Sequence, residues 1–143
     1  MKLNTSMVVV GAIFIVLALL LAIIPQFSDC QSQGKALALP DGKTVAMKCH
    51  WTGQAEAVLA VILLVIGILL IISRNKETQK YLAIVGIVLG ILAILLPTFI
   101  IGVCATPTMI CNTVMKVALL ILGPLVILDG IAGLILAIKS NNE

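Results

Sequence analysis

Four long apolar runs, separated by short polar stretches, leave few folds open to this chain. Met7 to Ile24 carries no charge, and Ala55 to Ile72 carries only Glu56, in its first turn. Tyr81 to Ile101 is uncharged, and Val117 to Ile138 holds a single acid, Asp129. A helix needs roughly 20 mostly apolar residues to cross a bilayer, and each run is about that long. The runs are rich in Leu, Ile and Val without strict alternation, so they read as helices rather than barrel strands. Composition agrees: of 143 residues, 62% are hydrophobic and 10% charged, with a mean hydropathy of +1.26. Ordinary soluble domains are about 25% charged, and a water-soluble core could not hide this apolar excess. The expected fold is an all-α membrane protein, a four-helix transmembrane bundle forming one domain over residues 1–143. Its helices are expected at about 5–25, 55–73, 80–101 and 115–139.

The first run follows Met1-Lys2, where a signal peptide would also begin. No A-x-A site follows it, and Phe27-Ser28-Asp29 before Cys30 is unlike a lipoprotein cleavage box, so an uncleaved helix is expected. Four spans put both termini on one side. With that side cytoplasmic, Lys2, Arg74, Lys76, Lys80 and Lys139 face in, while Lys35, Lys43, Lys48 and Lys116 face out. The cytoplasmic basic residues crowd the tight turn at 74–79, which is the sense of the positive-inside rule. Aromatic residues sit mainly at span ends: Phe27, Trp51 and Phe99 outside, Tyr81 inside, as interfacial anchors do.

The two halves of the chain resemble each other. The first span ends Leu20-Leu21-Ala22-Ile23-Ile24-Pro25-Gln26-Phe27, then Cys30; the third ends Leu92-Ala93-Ile94-Leu95-Leu96-Pro97-Thr98-Phe99, then Cys104. Met47-Lys48-Cys49 precedes the second span and Met109-Ile110-Cys111 the fourth. Apolar matches arise easily in such a composition, but the ordered Pro-x-Phe, Cys, Met-x-Cys series does not. Each half therefore reads as one helical hairpin, the two related by an axis along the membrane normal. Gly86-x-x-x-Gly90, with Gly130 and Gly133, marks where helices approach closely, inside this bundle rather than at a dimer seam.

The loop 26–54 is the longest polar stretch. Pro40-Asp41-Gly42 has turn chemistry, and Ala36 to Leu39 with Thr44 to Met47 can pair as a short β-hairpin. All four cysteines fall in the loops on this face: Cys30 and Cys49 in the first, Cys104 and Cys111 in loop 102–114. An even count on an oxidising face reads as disulfides. Sequence permits three pairings; Cys30–Cys49 with Cys104–Cys111 is favoured because each closes its own loop. The expectation is thus a small disulfide-bonded extracytoplasmic cap.

Two other chemistries compete for the same residues. Thiol–disulfide exchange fits four spans with a cysteine pair per outer loop, yet it depends on C-x-x-C pairs, which this chain lacks. A soft-metal site, copper above all, could draw on Met47, Cys49, His50, Cys104, Met109, Cys111 and Met115. Oxidised cysteines would remove its best ligands, so neither metal nor cofactor is expected. His50 reads as a polar loop residue, Trp51 as a headgroup-depth anchor, and Glu56 as a first-turn acid favoured by the helix dipole. Asp129 lies near mid-bilayer with no Lys or Arg at its depth, which points to internal bonding or a partner helix.

The chain resembles an uncharacterised bacterial family of small four-helix membrane proteins. The likeness rests on Met47-Lys48-Cys49-His50-Trp51-Thr52-Gly53-Gln54-Ala55-Glu56 and on Pro107-Thr108-Met109-Ile110-Cys111-Asn112-Thr113-Val114-Met115-Lys116. It implies a multi-pass protein of the bacterial cytoplasmic membrane that accompanies ABC-type export permeases. With no catalytic motif, the expected role is a non-enzymatic accessory subunit, its partners the lipid bilayer and another membrane protein, not nucleic acid. A membrane thiol–disulfide oxidoreductase is the alternative, and a copper-binding protein a further one.

Overall fold

In lipid, only intrahelical bonding satisfies a lone segment's backbone, and each apolar run is drawn out as a helix. The computed structural model describes residues 5–139. It contains α1 (Thr5–Ser28), α2 (Lys48–Ile72), α3 (Lys76–Leu95) and α4 (Lys116–Lys139). α3 continues into a wider π-turn, Leu96–Ile100, and a second π-turn, Cys111–Met115, leads into α4. Counting these turns, all four helices are long and apolar enough to cross a membrane. Lys2, one of the basic residues used for orientation, lies outside the described residues.

Each helix packs against its neighbour in the chain, and α4 closes the ring against α1. The most extensive contacts lie within the hairpins α1/α2 and α3/α4. Glycine allows these crossings. A Cβ on Gly11 would lie 2.7 Å from the Gly67 carbonyl oxygen, and one on Gly67 would lie 2.8 Å from that of Gly11. In the second hairpin Gly90 and Gly123 face each other more loosely, at 3.0 and 3.2 Å by the same measure. Gly86 receives the ring of Phe14, so its small size seats a neighbour inside the bundle. Phe14, Leu63, Met115, Leu119 and Val126 fill the interior, all at 1% exposure or less. Val9, Val16, Val61, Val88, Ile121 and Leu128 point outward. Such an apolar exterior needs lipid to cover it, and the protein is a multi-pass membrane protein.

At the end of the bundle that carries the cysteines, the first loop stands out as an exposed hairpin. There β1 (Leu37–Ala38) and β2 (Thr44–Val45) pair antiparallel, Leu37 opposite Val45 and Ala38 opposite Thr44. Gly42, at φ 74°, closes the turn, and its N–H donates to the Leu39 carbonyl at 3.0 Å. The short hairpin anticipated around Pro40-Asp41-Gly42 is present. At the other end, Asn75 caps α3 by accepting the Glu77 N–H at 3.1 Å. The buried Gln79 amide donates to the Ser73 carbonyl at 2.7 Å, tightening the turn between α2 and α3.

Candidate functional site

Pro25 and Pro97 sit near the ends of α1 and α3, where a missing N–H and a fixed φ help turn the chain out of the helix. Just beyond each lies a cysteine, Cys30 or Cys104. The returning chain brings Cys49 in the first turn of α2 and Cys111 at the start of the second π-turn. π-turns in helices cluster at functional sites, and both of these border the second cysteine loop. The first is closed by Gly102, at φ 78°, whose N–H donates to the Leu96 carbonyl at 3.0 Å.

The four thiols converge. All four Sγ atoms lie within 4.8 Å of one another. Cys30 is 3.2 Å from Cys111 and 3.7 Å from Cys104, and Cys104 is 3.3 Å from Cys49. Cys30, Cys49 and Cys111 are buried and Cys104 is partly so. Two thioethers flank the cluster: Met109 Sδ is 3.9 Å from Cys30, and Met47 Sδ is 3.9 Å from Cys104. Exchanging the halves maps Cys30 onto Cys104, Cys49 onto Cys111 and Met47 onto Met109. It also maps each of these contacts onto its counterpart, the Cys30–Cys104 contact onto itself. The sulfurs obey the twofold relation read from the sequence.

The structure does not support the disulfide-bonded cap. A disulfide needs sulfurs about 2.05 Å apart, whereas the shortest separation between these sulfurs is 3.2 Å and none of the four is bonded to another. The closest contacts also run between the halves, not within each loop. The physical reason is the packing of the two hairpins side by side: it brings the cysteine-bearing ends of both halves together, so proximity along the chain no longer decides who meets whom.

Asp29 and His50 hold the site from the side. His50 Nδ1 and Asp29 Oδ2 are 2.9 Å apart, and Asp29 Oδ1 accepts the Ser32 N–H at 2.7 Å. Asp29 precedes Cys30 and His50 follows Cys49, so the pair ties the segment just beyond α1 to the first turn of α2. Burial alone would raise the Asp29 pKa; the His50 and Ser32 hydrogen bonds outweigh it and hold the carboxyl below its ordinary value. The Thr52 hydroxyl, fully buried, donates to the Gly102 carbonyl at 2.7 Å and fixes the approach to Cys104. Burial and the neighbouring thiols push Cys30 well above the usual thiol range. Cys104 goes the other way: burial opposes its ionisation, but the surrounding thiols stabilise its thiolate and lower its pKa. Anionic sulfurs this close repel, and a cation among them would relieve that repulsion.

The remaining sequence candidates fall elsewhere. Met115 is fully buried in the core, and Trp51 is 59% exposed, its ring edge-on to His50. Glu56 is not a first-turn acid, because α2 starts at Lys48 and runs through Cys49, His50 and Trp51. Its side chain is instead fully buried, and neither carboxylate oxygen has a partner among the described residues. Asp129 lies on the interior side of α4 at 8% exposure, with Oδ2 likewise unpartnered. Asp29 was missed as a site residue; its position beside Cys30, mirrored by His50 beside Cys49, is the signal that could have found it.

Residues 7–136 match the family model described as a domain of unknown function, DUF4418. The chain belongs to that family. No curated protein and no solved structure matches it.

Proposed function

We propose that this chain is a non-enzymatic membrane subunit that holds a thiophilic d10 metal ion in its four-thiol cluster, on the non-cytoplasmic side of a bacterial membrane. One observation carries the reading. Four thiolates about 2.3 Å from a tetrahedral ion lie about 3.8 Å apart, and the observed sulfur separations, from 3.2 Å upward with all pairs inside 4.8 Å, bracket that edge. Buried thiolates are ligands for soft ions, and Lys48 and Lys116, at the starts of α2 and α4, offset negative charge at this end. A holding site suits a subunit that serves a larger membrane complex, and an ABC-type export permease is the partner the family resemblance suggests.

The close pairs Cys30–Cys111 and Cys49–Cys104 support a second reading, thiol–disulfide exchange. Closing either pair would release two protons and two electrons to an acceptor such as a quinone. One experiment separates the two. The full chain, purified in detergent under reducing, anaerobic conditions, is titrated with Zn(II) and with Cu(I). One equivalent bound with loss of all four reactive thiols supports the metal site. No stoichiometric binding, with quinone-dependent disulfide formation between those pairs, overturns it in favour of exchange.

A further inference from the structure

We infer that the site is built for a monovalent soft ion, Cu(I) or Ag(I), taken up through two equivalent thioether entrances, Met47 and Met109. The inference rests on the metal-site reading and adds to it the class of ion and the route.

The donor set within contact is sulfur alone, four thiols and two thioethers. A thioether is neutral and polarizable. It does little to balance a divalent charge but binds Cu(I) well; four thiolates alone would complete a structural Zn(II) site, so it is the two added thioethers that favour the monovalent ion. His50, the one imidazole in the chain, is turned toward Asp29. The layout is graded. Met47, Met109 and Cys104 are partly buried, while Cys30, Cys49 and Cys111 are 1% exposed or less, so each relay leads from a partly exposed thioether to a buried thiol. Each thioether touches the first cysteine of the opposite half: Met47 reaches Cys104, and Met109 reaches Cys30. Those cysteines in turn contact the other two, Cys104 with Cys49 and Cys30 with Cys111. Two parallel sulfur relays thus result, Met47–Cys104–Cys49 and Met109–Cys30–Cys111. A thioether needs no deprotonation to bind, so the first step of each relay is open to an ion before any thiol gives up its proton.

The test uses the full chain with Met47 and Met109 both changed to Leu, which keeps side-chain volume and apolar character. Cu(I) is supplied from a bicinchoninate complex, Ag(I) and Zn(II) as their salts, and Met7→Leu at the far end of α1 is the control. The expected result is Cu(I) and Ag(I) loading at least about tenfold slower in the double variant, with Zn(II) affinity and the control unchanged. If the parent binds Zn(II) as tightly as Cu(I), and the double variant loads Cu(I) at the parent rate, this inference fails while the metal site stands. If the parent binds none of the three ions, the underlying reading fails with it.

Discussion

The two hairpins share a plan and differ in what they bury. Aligning Pro25 with Pro97 places Phe14 at the position of Gly86, and in the folded bundle these two residues meet, ring against glycine. Equivalent positions that face each other across an axis cannot both be large, so this pair has become one knob and one hole. Aligning Gly67 with Gly133 sets the Gly11/Gly67 crossing against Ala83/Gly133, where a Cβ on Gly133 would stand 3.6 Å from that of Ala83. The same alignment puts Asp129 opposite Leu63 and Glu56 opposite Leu122, so neither buried acid has an acidic counterpart. The sulfurs are different: two thiols and one thioether come from each half, at matching distances. What the halves hold in common is the cluster, and what they do not share is the packing and charge beneath it.

If that division is right, ligand substitutions should ignore which half they fall in. Cys30→Ser and Cys104→Ser are each expected to weaken metal binding at least about 100-fold, roughly 2.7 kcal/mol, by competitive chelator titration. A deficit confined to one half would break the comparison. Packing substitutions should instead depend on the half. Gly11→Ala or Gly67→Ala forces a methyl onto backbone and is expected to destabilise the bundle by about 1–3 kcal/mol. Gly133→Ala meets only the Val10 and Ala83 side chains, at 3.1 and 3.6 Å, and should have a smaller effect in detergent denaturation.

The acids sharpen the contrast further. Replacing a buried, unpartnered carboxyl with an apolar group of similar shape removes its desolvation penalty. Glu56→Met should therefore stabilise the bundle by about 1–2 kcal/mol, and Asp129→Leu by less, because Asp129 retains slight exposure. Equal losses of stability in both would show that each acid has a structural partner.

The smallest effect belongs to the clamp beside the site. Asp29→Asn is expected to lower stability at neutral pH by about 0.5–1 kcal/mol. Because the Asp29 pKa is depressed on folding, its contribution is complete above the ordinary aspartate value of about 4. It is lost as acid protonates the folded carboxyl below that value. Parent and variant stability curves should converge in that acidic range.

Much of this was legible in the chain. Apolar stretches of bilayer length, each with at most one acid, announce four helices, because lipid admits little else. Pro40-Asp41-Gly42 announces a turn by its own backbone preferences. The cluster was harder to see. Cys30 and Cys49 are near in sequence, which invites a bond between them, whereas the geometry that matters comes from superposing two halves about an axis. The repeated Met-x-Cys element carried that information, yet sequence alone does not say how close to the axis those residues stand. Glu56 misled for a local reason. The polar segment Cys49-His50-Trp51-Thr52-Gly53 resembles a loop, but it forms the first turns of α2, which carries Glu56 inward.

The most direct test is X-ray absorption at the metal edge of the reduced, metal-loaded full chain, compared with Cys111→Ser. The account predicts a first shell of sulfur only, at about 2.3 Å, losing one scatterer or the metal itself in the variant. A first shell dominated by nitrogen or oxygen, unchanged by removing Cys111, would contradict it.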